Sequence, residues 1–146
     1  MRHPKAVLFA GEKPFPILPA VDHYAGSEKL MKKALQLQKE LGPIFDITCD
    51  CEDGAHAGAE REHAEMAAAL IMSEDNLFNR VGARVHDVTH PHWRQDMEIL
   101  VGIAGSRLPF ITLPKPCSAG DVKVQIEALR EIEQNFGVDR RIPVHV

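Results

Sequence analysis

Short apolar runs alternate with longer amphipathic segments along the chain. The apolar runs predict β-strands at residues 6–10, 44–49, 80–86, 109–113 and 142–146. The amphipathic segments repeat apolar residues at helical spacing and predict α-helices at residues 28–41, 59–72, 93–103 and 119–136. Ser27 and Ser118 are the expected N-caps of the first and last helices, which Gly42 and Gly137 are expected to end. The chain therefore follows a (βα)₄β pattern.

Strands that are separated by helices pair in parallel through right-handed crossovers, and two architectures satisfy this rule. One is a five-stranded doubly wound sheet. The other is part of an eight-stranded barrel, which needs about 250 residues in full. The last predicted strand has no helix after it, which favours the barrel. We therefore expect an α/β fold, the amino-terminal (βα)₄β portion of a TIM (β/α)₈ barrel with parallel strands, forming one domain over residues 1–146.

Composition narrows the class of protein without fixing its chemistry. The 146 residues are 45% hydrophobic and 26% charged, as in ordinary globular domains. A formal charge of −4 and the lack of a basic run argue against nucleic acid as a partner. No apolar stretch is long enough for a membrane span or a signal peptide, so we expect a cytoplasmic protein. The three cysteines include a C-x-C pair, which is not a zinc pattern, and reduced thiols are expected.

Charged residues follow three successive predicted strands. Asp50, Glu52 and Asp53 end the second strand, Arg84 ends the third, and Lys115 follows the fourth. Because the carboxyl ends of parallel strands meet at one edge of a sheet, we expect these side chains to converge. Such a set suits an anionic substrate held with a hard divalent cation. An acidic turn that faces water, a rim salt bridge at Arg84 and a solvated Lys115 remain open as simpler interpretations.

Histidines and a cysteine offer other chemistry near the same positions. His86, His90 and His92 are spaced so that a three-histidine metal site is conceivable. The proline between the last two and the missing fourth ligand favour a loop and helix-start role instead. His63 is expected to be solvated on its helix. Cys51 has no histidine placed to activate it, so a buried thiol is favoured over a nucleophile.

The strand-end motifs carry a family resemblance. Asp50-Cys51-Glu52-Asp53-Gly54, then Arg84-Val85-His86, then Leu113-Pro114-Lys115-Pro116 resemble the HpcH/HpaI aldolase and citrate lyase beta-subunit family. Val7-Leu8-Phe9-Ala10-Gly11 resembles the signature that opens those proteins. The resemblance implies a TIM barrel that uses Mg²⁺ to make or break a carbon–carbon bond next to a carboxylate or thioester. The expected function is a Mg²⁺-dependent lyase acting on a short carboxylic acid or its CoA thioester through a metal-stabilised enolate.

The resemblance also implies roles for individual residues. Arg84 would pair with the substrate carboxylate or carbonyl, a task suited to a planar bidentate donor. Glu52 and Asp53 would hold waters on Mg²⁺ and, with Arg84, form the candidate catalytic set. Asp50 would anchor the turn. The candidate substrate-binding residues are Arg84, Lys115 and Lys5.

Departures from the family pattern leave alternatives open. His86 stands where the family usually has asparagine, and Lys5-Ala6 stands where it has Arg-Ser. The direct Mg²⁺ ligands are expected beyond Val146, so no direct metal ligand is predicted within the chain. The alternative function is a non-catalytic half-barrel that associates with itself or another chain, and a homo-oligomer is expected. A doubly wound phosphoacceptor-like domain that uses Asp50 and Asp53 is a further, weaker possibility.

Overall fold

The computed structural model describes residues 21–146, which form five strands and four helices in alternation. The strands are β1 (Asp22–Ala25), β2 (Asp46–Asp50), β3 (Val81–Arg84), β4 (Ile111–Thr112) and β5 (Val144–His145). The helices are α1 (Glu28–Leu41), α2 (Glu60–Met72), α3 (Trp93–Ala104) and α4 (Ala119–Asn135). The predicted strand at 6–10, the motif at 7–11 and Lys5 lie outside the described residues.

The order of the strands decides between the two predicted architectures. Within the described residues the sheet runs β1-β2-β3-β4-β5, and each neighbouring pair is parallel. A doubly wound sheet reverses its strand order at a switch point, whereas a barrel adds each strand beside the previous one. The sequential order therefore confirms the barrel-like (βα)₄β fold. It also removes the structural basis for a doubly wound phosphoacceptor-like domain.

One face of the sheet packs against all four helices. Alternate strand residues, among them Ile47, Cys49, Ala83 and Ile111, are fully buried. They share one core with residues from each helix, including Met31, Leu35, Ala64, Ala67, Met97, Leu100, Leu129 and Ile132. The opposite face carries polar side chains and is called the polar face below; it is defined by Asp22, Thr48, Asp50, Arg84 and Thr112. Residues that alternate along a strand point to opposite faces, so the core and the polar face are separated by the pleat.

The local signals for the helices are confirmed. Ser27 caps α1 by accepting the backbone N–H of Leu30 at 3.4 Å, and Gly42 ends the helix with a φ of 81°. Ser118 and Asp121 form a capping box at the start of α4. The helix bounds agree with the prediction to within about two residues. Among residues 21–146, no helix has the length and apolar character needed to cross a membrane.

Strand β1 was missed by the sequence pattern. Its four residues, Asp-His-Tyr-Ala, include one buried side chain, that of Ala25, so they show no apolar alternation. The strand nevertheless pairs with β2, with Tyr24 opposite Thr48 and Ala25 opposite Cys49. Backbone pairing to an existing strand stabilises it where side-chain burial gives little signal. As a consequence, the strand that leads into α1 within the described residues is β1.

Candidate active site

The acidic turn begins on the last residue of β2. Asp50 Oδ1 accepts the backbone N–H groups of Glu52 at 3.1 Å and Asp53 at 3.3 Å, so one carboxylate organises the turn. Gly54 follows at a place with no room for a side chain. A Cβ atom there would lie 2.2 Å from the carbonyl oxygen of Asp50 and 2.5 Å from that of Gly26. The turns after β1 and β2 therefore touch through glycine, and Asp50 anchors the turn as expected.

Arg84 joins the acidic turn to β3. It lies opposite Asp50 in the sheet register. Its Nε donates to Asp50 Oδ1 at 2.9 Å and its Nη2 donates to Asp50 Oδ2 at 2.6 Å, which makes a bidentate pair. Nη2 also donates to Asp53 Oδ2 at 2.8 Å, and Nη1 lies 2.7 Å from Glu52 Oε2. One guanidinium therefore faces all three predicted acids.

The contacts with Arg84 hold Asp50 in its charged form. Burial alone would raise the pKa of Asp50, but the hydrogen bonds and the charge of Arg84 outweigh it and leave that pKa below its ordinary value. The hydrogen bond with Asp50 is also the main cause that raises the pKa of Arg84. The Arg84 side chain is 18% exposed, and its donors face protein carboxylates. Its predicted pairing with a substrate carboxylate would require an exchange of partners.

Lys115 brings a second cation to the same acids. Its Nζ forms an ion pair with Glu52 Oε1 and lies 3.8 Å from Asp53 Oδ1. The hydrogen bond with Glu52 is the main cause that raises the pKa of Lys115. The residue sits between two prolines with a φ of 48°, in the left-handed region that non-glycine residues seldom adopt. Asp50, Glu52, Asp53, Arg84 and Lys115 together are called the charged cluster below. The Lys115 side chain is 63% exposed, so of the two cations in the cluster it is the one that solvent reaches more easily.

Tyr24 completes the surroundings of Arg84. The centre of the Arg84 guanidinium lies 5.2 Å from the Tyr24 ring centroid, within cation–π range. Tyr24 belongs to β1 and is 44% exposed. Sequence reasoning missed this residue because it did not predict β1. The available signal was position alone: these residues lie directly before the Ser27 cap, where an alternating strand-and-helix fold needs a strand.

His86 forms hydrogen bonds with Asp96, a residue that the sequence pattern did not identify. Its Nδ1 lies 2.6 Å from Asp96 Oδ2 on α3, and the same oxygen accepts its backbone N–H at 2.9 Å. Burial raises the pKa of Asp96 in spite of these two bonds. The His86 ring stacks on His90, with centroids 3.9 Å apart, and His92 is the N-cap residue of α3. The loop and helix-start role expected for this segment is what the structure shows.

Two further expectations concern side chains near β2. His63 was expected to be solvated, which is wrong, because its Nε2 lies 2.9 Å from the carbonyl oxygen of Asp50. The ring ties α2 to the end of the strand. Cys51 is fully buried, and burial raises the pKa of its thiol well above the ordinary value. This agrees with the buried thiol that was favoured over a nucleophile.

The donor set can be compared with the needs of Mg²⁺. Within residues 21–146, no three or more His, Cys, Asp or Glu side chains are arranged as a metal-holding group. The three acids are already paired with Arg84 and Lys115. Asp53 is 63% exposed, and the buried Glu52 Oε2 has an ion-pair contact with Arg84 but no aligned hydrogen-bond donor. Carboxylates that are paired with cations in this way would have to give up those partners to ligate Mg²⁺ directly.

Cavity size does not identify the site. A cavity of about 280 Å³ lies beside the acidic turn, between the starts of α1 and α2, and is lined in part by Gly26, Gly54 and His63. A larger cavity of about 410 Å³ lies between the carboxyl ends of α3 and α4 and holds none of the predicted site residues. Helix carboxyl ends in this fold lie near the amino ends of the strands, the edge that stabilises the fold and does not carry chemistry. The charged cluster is the better guide.

Comparison with known proteins agrees with the fold. No protein-family model and no curated protein matches the chain. Among solved structures, the chain is similar to a citrate lyase from Burkholderia xenovorans LB400, with 47% sequence identity and a TM-score of 0.83. The match covers 91% of this chain and 41% of that one, so the chain spans less than half the length of this relative. The similarity fits the citrate lyase beta-like family in general.

Proposed function

We propose that the protein containing this chain is a carbon–carbon lyase of the citrate lyase type. Its substrate would be a short carboxylic acid or its CoA thioester, and it would depend on Mg²⁺. The observation that carries the proposal is the 47% identity to a citrate lyase over 91% of this chain. The cluster of Arg84, Lys115 and three acids supports the proposal, because it lies at the carboxyl ends of β2, β3 and β4, where barrels of this kind build their active sites.

The reaction sets clear demands on such a site. Cleavage of the bond leaves one fragment with a carbonyl group and the other as an enolate, whose negative charge must be stabilised as it develops. Mg²⁺, when bound, supplies positive charge at the substrate oxygens as a Lewis acid. The protein must hold the substrate carboxylate, orient the reacting groups and order nearby water.

The cluster supplies groups for each of these tasks. Asp50 fixes the Arg84 guanidinium through two parallel hydrogen bonds, so its orientation is set before substrate arrives. A substrate carboxylate can replace Asp53, the most exposed of the three acids, on Nη2 of Arg84. Lys115 is exposed and can turn from Glu52 towards a bound anion. Glu52 and Asp53 would then orient water at the edge of the site.

Cleavage assays on the purified protein test this proposal. Citryl-CoA and malyl-CoA are incubated with Mg²⁺, and release of acetyl-CoA is followed by chromatography. We expect cleavage that a chelator abolishes and that Arg84→Ala lowers by roughly a hundredfold or more. Arg80→Ala is the matched control, because Arg80 pairs with Asp46 at the amino end of the sheet, and it should retain activity. No cleavage by the unmutated protein, or cleavage insensitive to Arg84→Ala, would overturn the proposal.

A further inference from the structure

One row of residues crosses the polar face at the level of Arg84. The strand register places Asp50 beside Arg84, Arg84 beside Thr112, and Thr112 beside His145. In-register neighbours in a parallel sheet point to the same face, and Ile111, which precedes Thr112, is buried on the helix side. The Thr112 hydroxyl group is therefore on the same face as the Arg84 side chain, one strand away.

The Thr112 hydroxyl lacks a partner. Its Oγ1 is buried and makes no hydrogen bond within the described part of the chain, and the residue is 7% exposed. Thr48 lies on the same face, two residues before Asp50 on β2. Its buried hydroxyl has a partner, as is usual, because its Oγ1 donates to the Asp22 carboxylate at 2.8 Å. Native proteins pair roughly nine-tenths or more of their buried polar groups, so an unpaired hydroxyl needs an explanation.

A second buried atom forms an ion-pair contact with the same arginine but no aligned hydrogen bond. Glu52 Oε2 is the other buried side-chain atom without a hydrogen bond in residues 21–146, and it lies 2.7 Å from Arg84 Nη1. Both exceptions in the described structure therefore border Arg84. A bound ion, water or ligand that completes the hydrogen bonds is one explanation for a buried polar group that the protein itself leaves without a partner.

We propose that Thr112 forms part of a substrate subsite, in which its hydroxyl donates a hydrogen bond to a carboxylate or carbonyl oxygen held beside Arg84. This inference rests on the proposed function, and it adds a residue that determines which substrate oxygens are accepted. A hydroxyl donor next to a guanidinium selects an oxygen acceptor with negative charge. Because Oγ1 is buried, contact requires a neighbouring side chain to move. His145, the neighbour on β5, is exposed and stacks on Phe110, with ring centroids 4.2 Å apart.

Three variants test the subsite. Thr112→Val keeps the branched shape and removes the hydroxyl, Thr112→Ser keeps the hydroxyl, and Thr48→Val removes a hydroxyl that has a partner. Citrate and malate are titrated into each protein by calorimetry in excess Mg²⁺, and thermal unfolding is measured without ligand. We expect Thr112→Val to weaken binding roughly tenfold, the value of one hydrogen bond to a charged group. Thr112→Ser should stay within about twofold of the unmutated protein.

Unfolding separates a subsite from a structural hydroxyl. Thr48→Val should lower the melting temperature and leave carboxylate affinity unchanged, because it removes the bond to Asp22. Thr112→Val should not lower the melting temperature, since it removes an unpaired buried hydroxyl. Equal affinity for Thr112→Val and the unmutated protein, or a loss of melting temperature like that of Thr48→Val, overturns the subsite. Absence of carboxylate binding overturns it too, whereas bound carboxylate without any cleavage overturns the lyase proposal alone.

Discussion

Replacing Arg84 by methionine removes the charge that organises the site and keeps an unbranched apolar side chain. In the structure, Arg84 makes two hydrogen bonds with Asp50, at 2.9 and 2.6 Å, and Asp50 is 7% exposed. The variant leaves this buried carboxylate with the backbone N–H groups of the turn but without a cation. Lys115 still pairs with Glu52 and so does not replace the lost partner.

The size of the effect follows from burial. Removing one partner of a buried ion pair costs about 3–5 kcal/mol, because the other charge remains buried. The contact with Asp53 adds little, since that side chain is 63% exposed and solvent screens it. With Arg84 itself 18% exposed, we expect a loss near the lower limit, about 3 kcal/mol at pH 7. For a domain of this size each 1 kcal/mol moves the melting temperature by about 2–4 °C, which predicts a fall of about 6–12 °C.

The loss should depend on pH with a defined sign. The pKa of Asp50 in the folded protein lies below its ordinary value of 3.8, so the pair stabilises the fold above that value and loses its effect as pH falls through the folded pKa. Without Arg84, we expect the pKa of Asp50 to rise, because burial then acts against only the two backbone N–H groups of the turn. The carboxyl group of the variant then takes up a proton as the pH falls, which relieves the uncompensated charge. The difference between the two proteins should therefore be largest near neutral pH and smaller at about pH 4.5.

Urea unfolding followed by circular dichroism, at about pH 7 and pH 4.5, measures both quantities. Arg80→Met is the control, because Arg80 makes one ion pair, with Asp46 at 3.1 Å, and 33% of its side chain is exposed. We expect that control to lose about 1 kcal/mol or less at either pH. A loss below about 1 kcal/mol for Arg84→Met at pH 7, or an equal loss at both pH values, would show that Asp50 does not depend on Arg84.

Two further predictions concern the packing around β2. Gly54→Ala should destabilise the fold by about 3 kcal/mol or more, because its Cβ would lie 2.2 Å from the carbonyl oxygen of Asp50; an unchanged melting temperature would contradict the close approach. Iodoacetamide should label the exposed Cys117 in the folded protein and spare Cys49 and Cys51, since burial raises the pKa of Cys49 to about 12 and that of Cys51 well above its ordinary value. Mass spectrometry of peptides reads the labelled positions, and modification of either buried thiol would refute this.

The convergence of the charged residues at one edge of the sheet was predictable, because it depends on the path of the backbone. Periodic apolar residues and the serine caps located all four helices, and the alternation of helix and strand required parallel pairing. Parallel pairing brings the ends of successive strands to one edge, so Asp50, Arg84 and Lys115 had to come close together. No knowledge of side-chain conformation was needed for that step.

The pairing of individual side chains was not predictable in the same way. His86 and Asp96 are ten residues apart and meet because α3 packs back onto β3, which fixes a 2.6 Å contact that no spacing rule implies. Tyr24 was missed because β1 is stabilised by backbone pairing and buries one side chain. Arg84 contacts three protein carboxylates because of the rotamers that these side chains adopt, and sequence patterns do not determine rotamers.

The charge balance of the cluster bears on how a carboxylate substrate can bind there. Three carboxylates face two cations, Arg84 and Lys115, which leaves one negative charge at the rim. An incoming carboxylate is therefore not attracted by the cluster alone, although it can replace Asp53 on Arg84 at little cost, because Asp53 is 63% exposed and solvent takes over as its partner. A divalent cation near these acids would reverse the sign of the local charge and make the exchange favourable. This is a physical reason, independent of the similarity to citrate lyase, for proposing that substrate binding and Mg²⁺ binding are coupled in this protein.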